Sequence, residues 1–111
     1  MKRNNLLIIV PAFNEGQNIF RTIQSLKGLG LEKDILVIDD GSNDSTKEEA
    51  LKAGVFLISL PFNLGIGGAV QAGFRFAFER GYDHAVRIDA DGQHDVNFIP
   101  NLIQALRDEY M

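Results

Sequence analysis

Leu6-Leu7-Ile8-Ile9-Val10-Pro11 is an unbroken apolar run rich in β-branched residues. No polar residue alternates through it, so neither side of such a strand is built to meet water. A strand buried on both faces belongs to a parallel sheet covered by helices. Working outward, the same kind of segment returns three times. Phe13 to Gly16 reads as a loop. Ile19, Ile23 and Leu26 then recur at helical spacing with Phe20 beside them, and Gly28 and Gly30 end that helix. Ile35 to Ile38, preceded by Asp34, forms a second buried strand that stops at Asp39-Asp40-Gly41-Ser42. Ser45 and Glu48 have the spacing of a capping box for a short helix ending near Gly54.

Val55 to Leu60 is a third strand, and Pro61 to Gly68 a loop. Val70, Phe74, Ala77 and Phe78 mark a helix that closes at Gly81, with Phe74, Phe76 and Phe78 read as its packing residues. Ala85 to Asp89 is a fourth strand. Phe98, Ile99, Leu102, Ile103 and Leu106 mark a last helix, with Asn97 as its cap and Pro100 tolerated in the first turn. The order βαβαβαβα predicts an α/β fold: a Rossmann-like parallel sheet with helices on both faces and right-handed crossovers. The expected strand order is 3-2-1-4.

At 111 residues, 45% hydrophobic and 23% charged, residues 1–111 are expected to form one domain with an ordinary core. The formal charge of −4 argues against nucleic acid or an anionic membrane as partner, since both need a basic patch. There is no cysteine, which excludes disulfides and thiolate metal sites. The basic start is followed by an apolar run, Leu6 to Phe13, that is short, contains Pro11 and ends in Asn14-Glu15. No secretory signal and no membrane-spanning segment are expected, and the expected location is cytoplasmic.

In open α/β sheets ligands bind outside the carboxyl ends of the strands. Polar and glycine residues gather at all four of those ends: Pro11 to Glu15, Asp39 to Ser42, Asn63 to Gly68, and Asp89-Ala90-Asp91-Gly92-Gln93. Residues two apart in a strand point to the same side. Asp89 and Asp91 can therefore converge, and converging carboxylates call for a cation between them. A hard divalent ion with positions left for phosphate oxygens fits that pair. The plain alternative is a surface turn using Asp and Gly in turn roles. Arg87 lies on the side of Asp89, either pairing with a carboxylate or blunting a sheet edge. The first strand lacks the glycine fingerprint of dinucleotide-binding domains, the Gly-Lys-Ser/Thr of a P-loop is absent, and the Asp pair follows the second strand instead of the first as in receiver domains.

Val10-Pro11-Ala12-Phe13-Asn14-Glu15, Ile38-Asp39-Asp40-Gly41-Ser42, Asn63-Leu64-Gly65 with Ala69, and Asp89-Ala90-Asp91-Gly92-Gln93-His94 together resemble the family 2 glycosyltransferases of the GT-A fold. The polyprenyl-phosphate (dolichyl-phosphate) mannosyl- and glucosyltransferases are the most similar branch. The resemblance implies a donor site for a UDP- or GDP-sugar. Pro11, Ala12 and Glu15 would line the nucleoside pocket, with Glu15 near the ribose. Asp39 would accept hydrogen bonds from the base, and Asp40 would steady the turn or sit near the base. Asn63 would contact the nucleotide or build its loop. Asp89 would serve nucleotide and metal, while Asp91 and Gln93 complete a shell for Mg²⁺ or Mn²⁺. Ile66 stands where many relatives carry a basic residue, so no phosphate contact is expected from it.

In the family the second half carries the acceptor site and the catalytic base, so this sequence is expected to be a donor half, inactive alone, of an enzyme associated with the membrane at its cytoplasmic face. No catalytic residue is expected within it. An open edge at Ala85 to Ile88 is expected to favour a homodimer. The alternative function is a catalytically silent nucleotide-, metal- or partner-binding module on the same fold.

Overall fold

The computed structural model describes residues 6–29 and 33–91. They form β1 (Leu6–Ala12), α1 (Ile19–Lys27), β2 (Asp34–Asp39), α2 (Thr46–Lys52), β3 (Phe56–Ser59), α3 (Ile66–Glu79) and β4 (His84–Arg87). The four strands make one parallel sheet in the order β3-β2-β1-β4, as the alternation predicts. The expected last helix, with Asn97 and Pro100, lies outside the described residues.

Every residue of β1 is buried, because β1 is central and both of its faces are covered. Alternate residues serve the two faces. Leu6, Ile8, Val10 and Ala12 pack with Ile19, Ile23 and Leu26 of α1 and with Ala50 of α2. Leu7 and Ile9 pack on the other face with Leu36, Ile38, and Ala69 and Ala77 of α3. The chain moves outward from β1 to β2 to β3, then crosses back to place β4 on the free side of β1. Right-handed crossovers going in opposite directions put their helices on opposite faces. The direction of travel reverses at β1, so the crevice expected of this topology opens between the carboxyl ends of β1 and β4.

Two local expectations are corrected. Phe74 and Phe78 do not pack on the sheet; they are 44% and 87% exposed. The packing face of α3 is instead Ala69, Gly73 and Ala77, all buried. The cause is a close approach: a Cβ on Gly73 would lie 2.4 Å from Ile9 Cγ2. Only small residues fit against β1 there, and helical rotation carries the two phenylalanines outward. Phe76, half-buried, does pack, with its ring 5.6 Å from that of Phe56. The capping box is also absent, since Ser45 makes no side-chain cap to α2. Asp44 takes the role, its Oδ1 accepting from the Thr46 N–H at 2.9 Å.

Candidate functional site

The loop after β1 turns at Asn14, whose φ of 55° is left-handed. Asparagine tolerates that region better than most residues. Four bonds tie the loop to the one after β2. Asn14 N–H donates to Ser42 Oγ at 2.9 Å, and Asn43 N–H donates to Asn14 Oδ1 at 2.8 Å. Glu15 N–H donates to Thr46 Oγ1 at 2.9 Å, and Gly16 N–H to Asp44 Oδ2 at 3.0 Å. The Thr46 hydroxyl above all, helped by the Gly16 and Thr46 N–H groups, holds the Asp44 carboxyl below the usual carboxylate range against the opposing desolvation. Asn14 and Ser42 stand in the expected strand-end clusters without an assigned role, and Asp44 and Thr46 are absent from the expected site. The signal for them was the run of hydroxyl, amide and acid side chains from Ser42 to Thr46. Glu15 is half-buried, with Oε2 accepting from Asn18 Nδ2 at 3.3 Å.

β2 delivers two buried carboxylates, Asp39 at 4% and Asp40 at 3% exposure. Buried charge is tolerated only when hydrogen-bonded. Asp39 Oδ1 accepts from Ser42 N–H at 3.1 Å and Oδ2 from Ser59 Oγ at 3.3 Å. Asp40 Oδ1 accepts from Leu64 N–H at 2.7 Å, which fixes the loop after β3 to the end of β2. Ile35 and Val37 face α1 and α2, whereas Leu36 and Ile38 face α3. By the same alternation Asp39 continues the first side and Asp40 the second.

The consequence is a cavity of ≈ 200 Å³ lined by Pro11, Ala12, Phe13, Asp40, Asn63, Gly65, Ile66 and Ala69. Of the expected nucleotide residues it unites Pro11, Ala12 and Asn63, while Asp40 occupies it and Asp39 and Glu15 are not in its lining. Asn63 also builds its own loop, accepting the Gly65 N–H at 2.9 Å. The amino end of α3 opens on this cavity through Ile66 and Ala69. A larger cavity, ≈ 380 Å³, lies at the amino ends of β2 and β3 among Lys27, Lys33, Asp34 and Phe56. It holds none of the residues singled out in the sequence and is at the wrong end of the strands for this topology.

Beyond β4, Ile88 N–H still donates to Ile9 O at 2.9 Å. Ile88 and Ala90 are buried, at 4% and 3% exposure, and Asp89 and Asp91 are exposed. This alternation turns both carboxylates outward. A second device holds it in place: Thr22 Oγ1, buried on α1, donates to Ala90 O at 3.0 Å. A helical threonine commonly bonds back to its own helix; this one spans to the peptide between the two acids. Arg87 pairs with Asp89, Nη2 to Oδ1 at 2.9 Å, and it also lies on a strand at the edge of the described sheet. Gln93 and His94 lie outside the described residues. Among the described residues no group of three or more His, Cys, Asp or Glu could hold a metal by itself. Two exposed carboxylates are nevertheless the kind of hard, incomplete oxygen set that Mg²⁺ or Mn²⁺ uses together with substrate phosphates and water.

The role of Thr22 is testable. Thr22→Val keeps the shape and leaves the Ala90 carbonyl without its buried donor. It is expected to cost about 1–3 kcal/mol in denaturant unfolding and, if Asp89 and Asp91 hold a cation, to weaken Mn²⁺ binding. Thr22→Ser, which keeps the hydroxyl, is expected to lose less in both measurements.

A parallel α/β sheet in the order β3-β2-β1-β4, with acids at the ends of β2 and β4 and an open cavity between its carboxyl-end loops, is the arrangement of a GT-A fold. The chain belongs to glycosyl transferase family 2, whose family model matches residues 7–111. It is 38% identical over 107 residues to an undecaprenyl-phosphate mannosyltransferase of Micrococcus luteus, covering 92% of this chain and 44% of that protein. It is 33% identical over 106 residues to a polyprenol monophosphomannose synthase of Mycolicibacterium smegmatis, covering 90% of this chain and 40% of that protein. The glucosyl-3-phosphoglycerate synthase of Mycobacterium tuberculosis, solved with Mn²⁺, UDP and glucosyl-3-phosphoglycerate, superposes with a TM-score of 0.74 at 28% identity, over 93% of this chain and 39% of that one. The chain thus spans less than half the length of these relatives. Among the described residues no helix is long and apolar enough to cross a membrane.

Proposed function

We propose that this chain is the donor-binding part of a glycosyltransferase that holds a nucleoside-diphosphate sugar with Mg²⁺ or Mn²⁺, for inverting transfer to a polyprenyl phosphate. The observation that carries the reading is the shared placement of the Asp40 cavity and the outward pair Asp89 and Asp91 at the carboxyl ends of the strands. The base enters the cavity, where Asp40 accepts its N–H donors and the half-exposed Phe13 ring offers a stacking face. Pro11 and Ala12 shape the floor, and Glu15 serves the ribose. Asp39 supports the turn that carries Asp40. Asp89 and Asp91, with Gln93, hold the cation. When bound, the cation would supply positive charge to offset that of the leaving diphosphate. Relatives named as polyprenyl-phosphate transferases support the acceptor class. A structural neighbour solved with UDP and Mn²⁺ supports the donor and the metal.

The test is calorimetry with UDP and GDP in the presence of Mn²⁺. Binding is expected, and it should weaken on chelation and in Asp91→Ala to a similar extent. Affinity indifferent to both treatments would remove the metal role, and no affinity for either nucleotide would remove the donor site.

A further inference from the structure

We propose that Arg87 is a built-in counter-ion for the metal carboxylates, paired with Asp89 and transferred to the diphosphate when cation and nucleotide bind together. The inference rests on the donor-site reading. Arg87 and Asp89 stand two residues apart on the same side of the β4 end, with Arg87 Nη2 2.9 Å from Asp89 Oδ1. The pair cannot easily separate by a twist of the backbone. Ile88 and Ala90 are buried on the opposite side, and the Ala90 carbonyl is held by Thr22.

Two consequences follow from charge. First, a guanidinium on Asp89 occupies one oxygen of the carboxylate that a divalent cation needs, and it repels that cation. The pair is half-exposed, at 42% and 55% side-chain exposure, so it is weak enough to be displaced. Second, the displaced guanidinium lies beside the phosphates. The loops that follow β1, β2, β3 and β4, residues 13–18, 40–45, 60–65 and 88–91, contain no lysine or arginine. Among the described residues of these strand ends and loops, Arg87 is therefore a cationic side chain placed to meet the diphosphate once Asp89 turns to the metal. Charge-assisted bonds from a guanidinium to phosphate are stronger than an exposed ion pair, so the exchange runs forward when nucleotide is present. The device disfavours metal without nucleotide and favours the two together.

The experiment is an Mn²⁺ titration followed by electron paramagnetic resonance, and a UDP titration at saturating Mn²⁺ followed by calorimetry, on the wild-type chain, Arg87→Gln and Arg87→Lys. Arg87→Gln is expected to bind Mn²⁺ alone about three- to fivefold more tightly and to bind UDP with Mn²⁺ about tenfold more weakly. Arg87→Lys, which keeps the charge, is expected to lie between Arg87→Gln and wild type in both. The signature is the opposite sign of the two changes in Arg87→Gln. Weaker binding in both titrations would make Arg87 a merely structural support, and tighter or unchanged binding in both would remove its contact with phosphate; each overturns the inference while leaving the donor site standing. A wild-type chain that takes up neither Mn²⁺ nor UDP would overturn the donor-site reading and this inference with it.

Discussion

Gly41→Ala is expected to destabilise the fold by about 2–5 kcal/mol, combining a left-handed backbone penalty with overpacking. Gly41 has φ +74°, and an added Cβ would lie 2.5 Å from Asn63 N and 2.6 Å from Phe62 C. Both neighbours are backbone, so no side chain can swing away to make room. The substitution must push the loop after β3 off the end of β2. That displacement breaks the bond from Leu64 N–H to Asp40 Oδ1, which closes the cavity. Stability and nucleotide affinity should therefore fall together. Gly54→Ala is the control. Its φ of +72° carries the same backbone penalty, but the nearest atom to its Cβ would be Lys27 Nζ at 3.8 Å. It should cost only about 1–2 kcal/mol and leave nucleotide binding unchanged. Denaturant unfolding of the two variants separates conformation from close contact, and equal losses would show that the loops do not touch as described.

The parts of this site that were legible in the sequence are those written in local periodicity. Leu6 to Pro11 showed a strand covered on both faces, and the clusters after β1, β2 and β3 marked the loops that line the Asp40 cavity. Three features were not local. The bond from Thr22 to Ala90 O joins residues 68 positions apart, and nothing in a helical threonine announces its partner. The packing face of α3 was hidden because hydrophobic spacing gives weight to phenylalanine and little to glycine. The small residues prevailed because Ile9 approaches too closely for anything larger than Gly73. The third feature is the choice between Asp39 and Asp40. Adjacent residues leave a strand on opposite sides, so one acid faces α1 and the other α3. The sequence shows the pair, and only the assignment of helices to faces shows which member reaches the cavity.

That choice sets the last and sharpest expectation: Asp40→Asn should weaken UDP binding by about ten- to a hundredfold, the loss of a hydrogen bond to a charged group, with little change in stability. The asparagine carbonyl can still accept the Leu64 N–H that Asp40 Oδ1 accepts at 2.7 Å, so the loop after β3 stays in place. What changes is the side offered to the base. A carboxylate presents only acceptors, whereas the amide replaces one oxygen with an N–H₂ donor. Uracil brings an N–H donor on its pairing edge, and so does guanine; cytosine brings an unprotonated nitrogen there. The wild-type chain should therefore prefer UDP or GDP over CDP, and Asp40→Asn should narrow that preference because its amide can donate to cytosine. Asp40→Ala removes the loop bond as well, and it should lose stability by about 1–3 kcal/mol in addition to affinity. The corresponding change at Asp39 separates the two acids. Asp39→Asn alters bonds to Ser42 and Ser59 within the turn, outside the cavity lining, and it should reduce UDP affinity far less than Asp40→Asn. Calorimetry of UDP, GDP and CDP against the three variants decides the matter. A larger loss at Asp39 than at Asp40, or an undiminished preference against CDP in Asp40→Asn, would take the base contact away from Asp40.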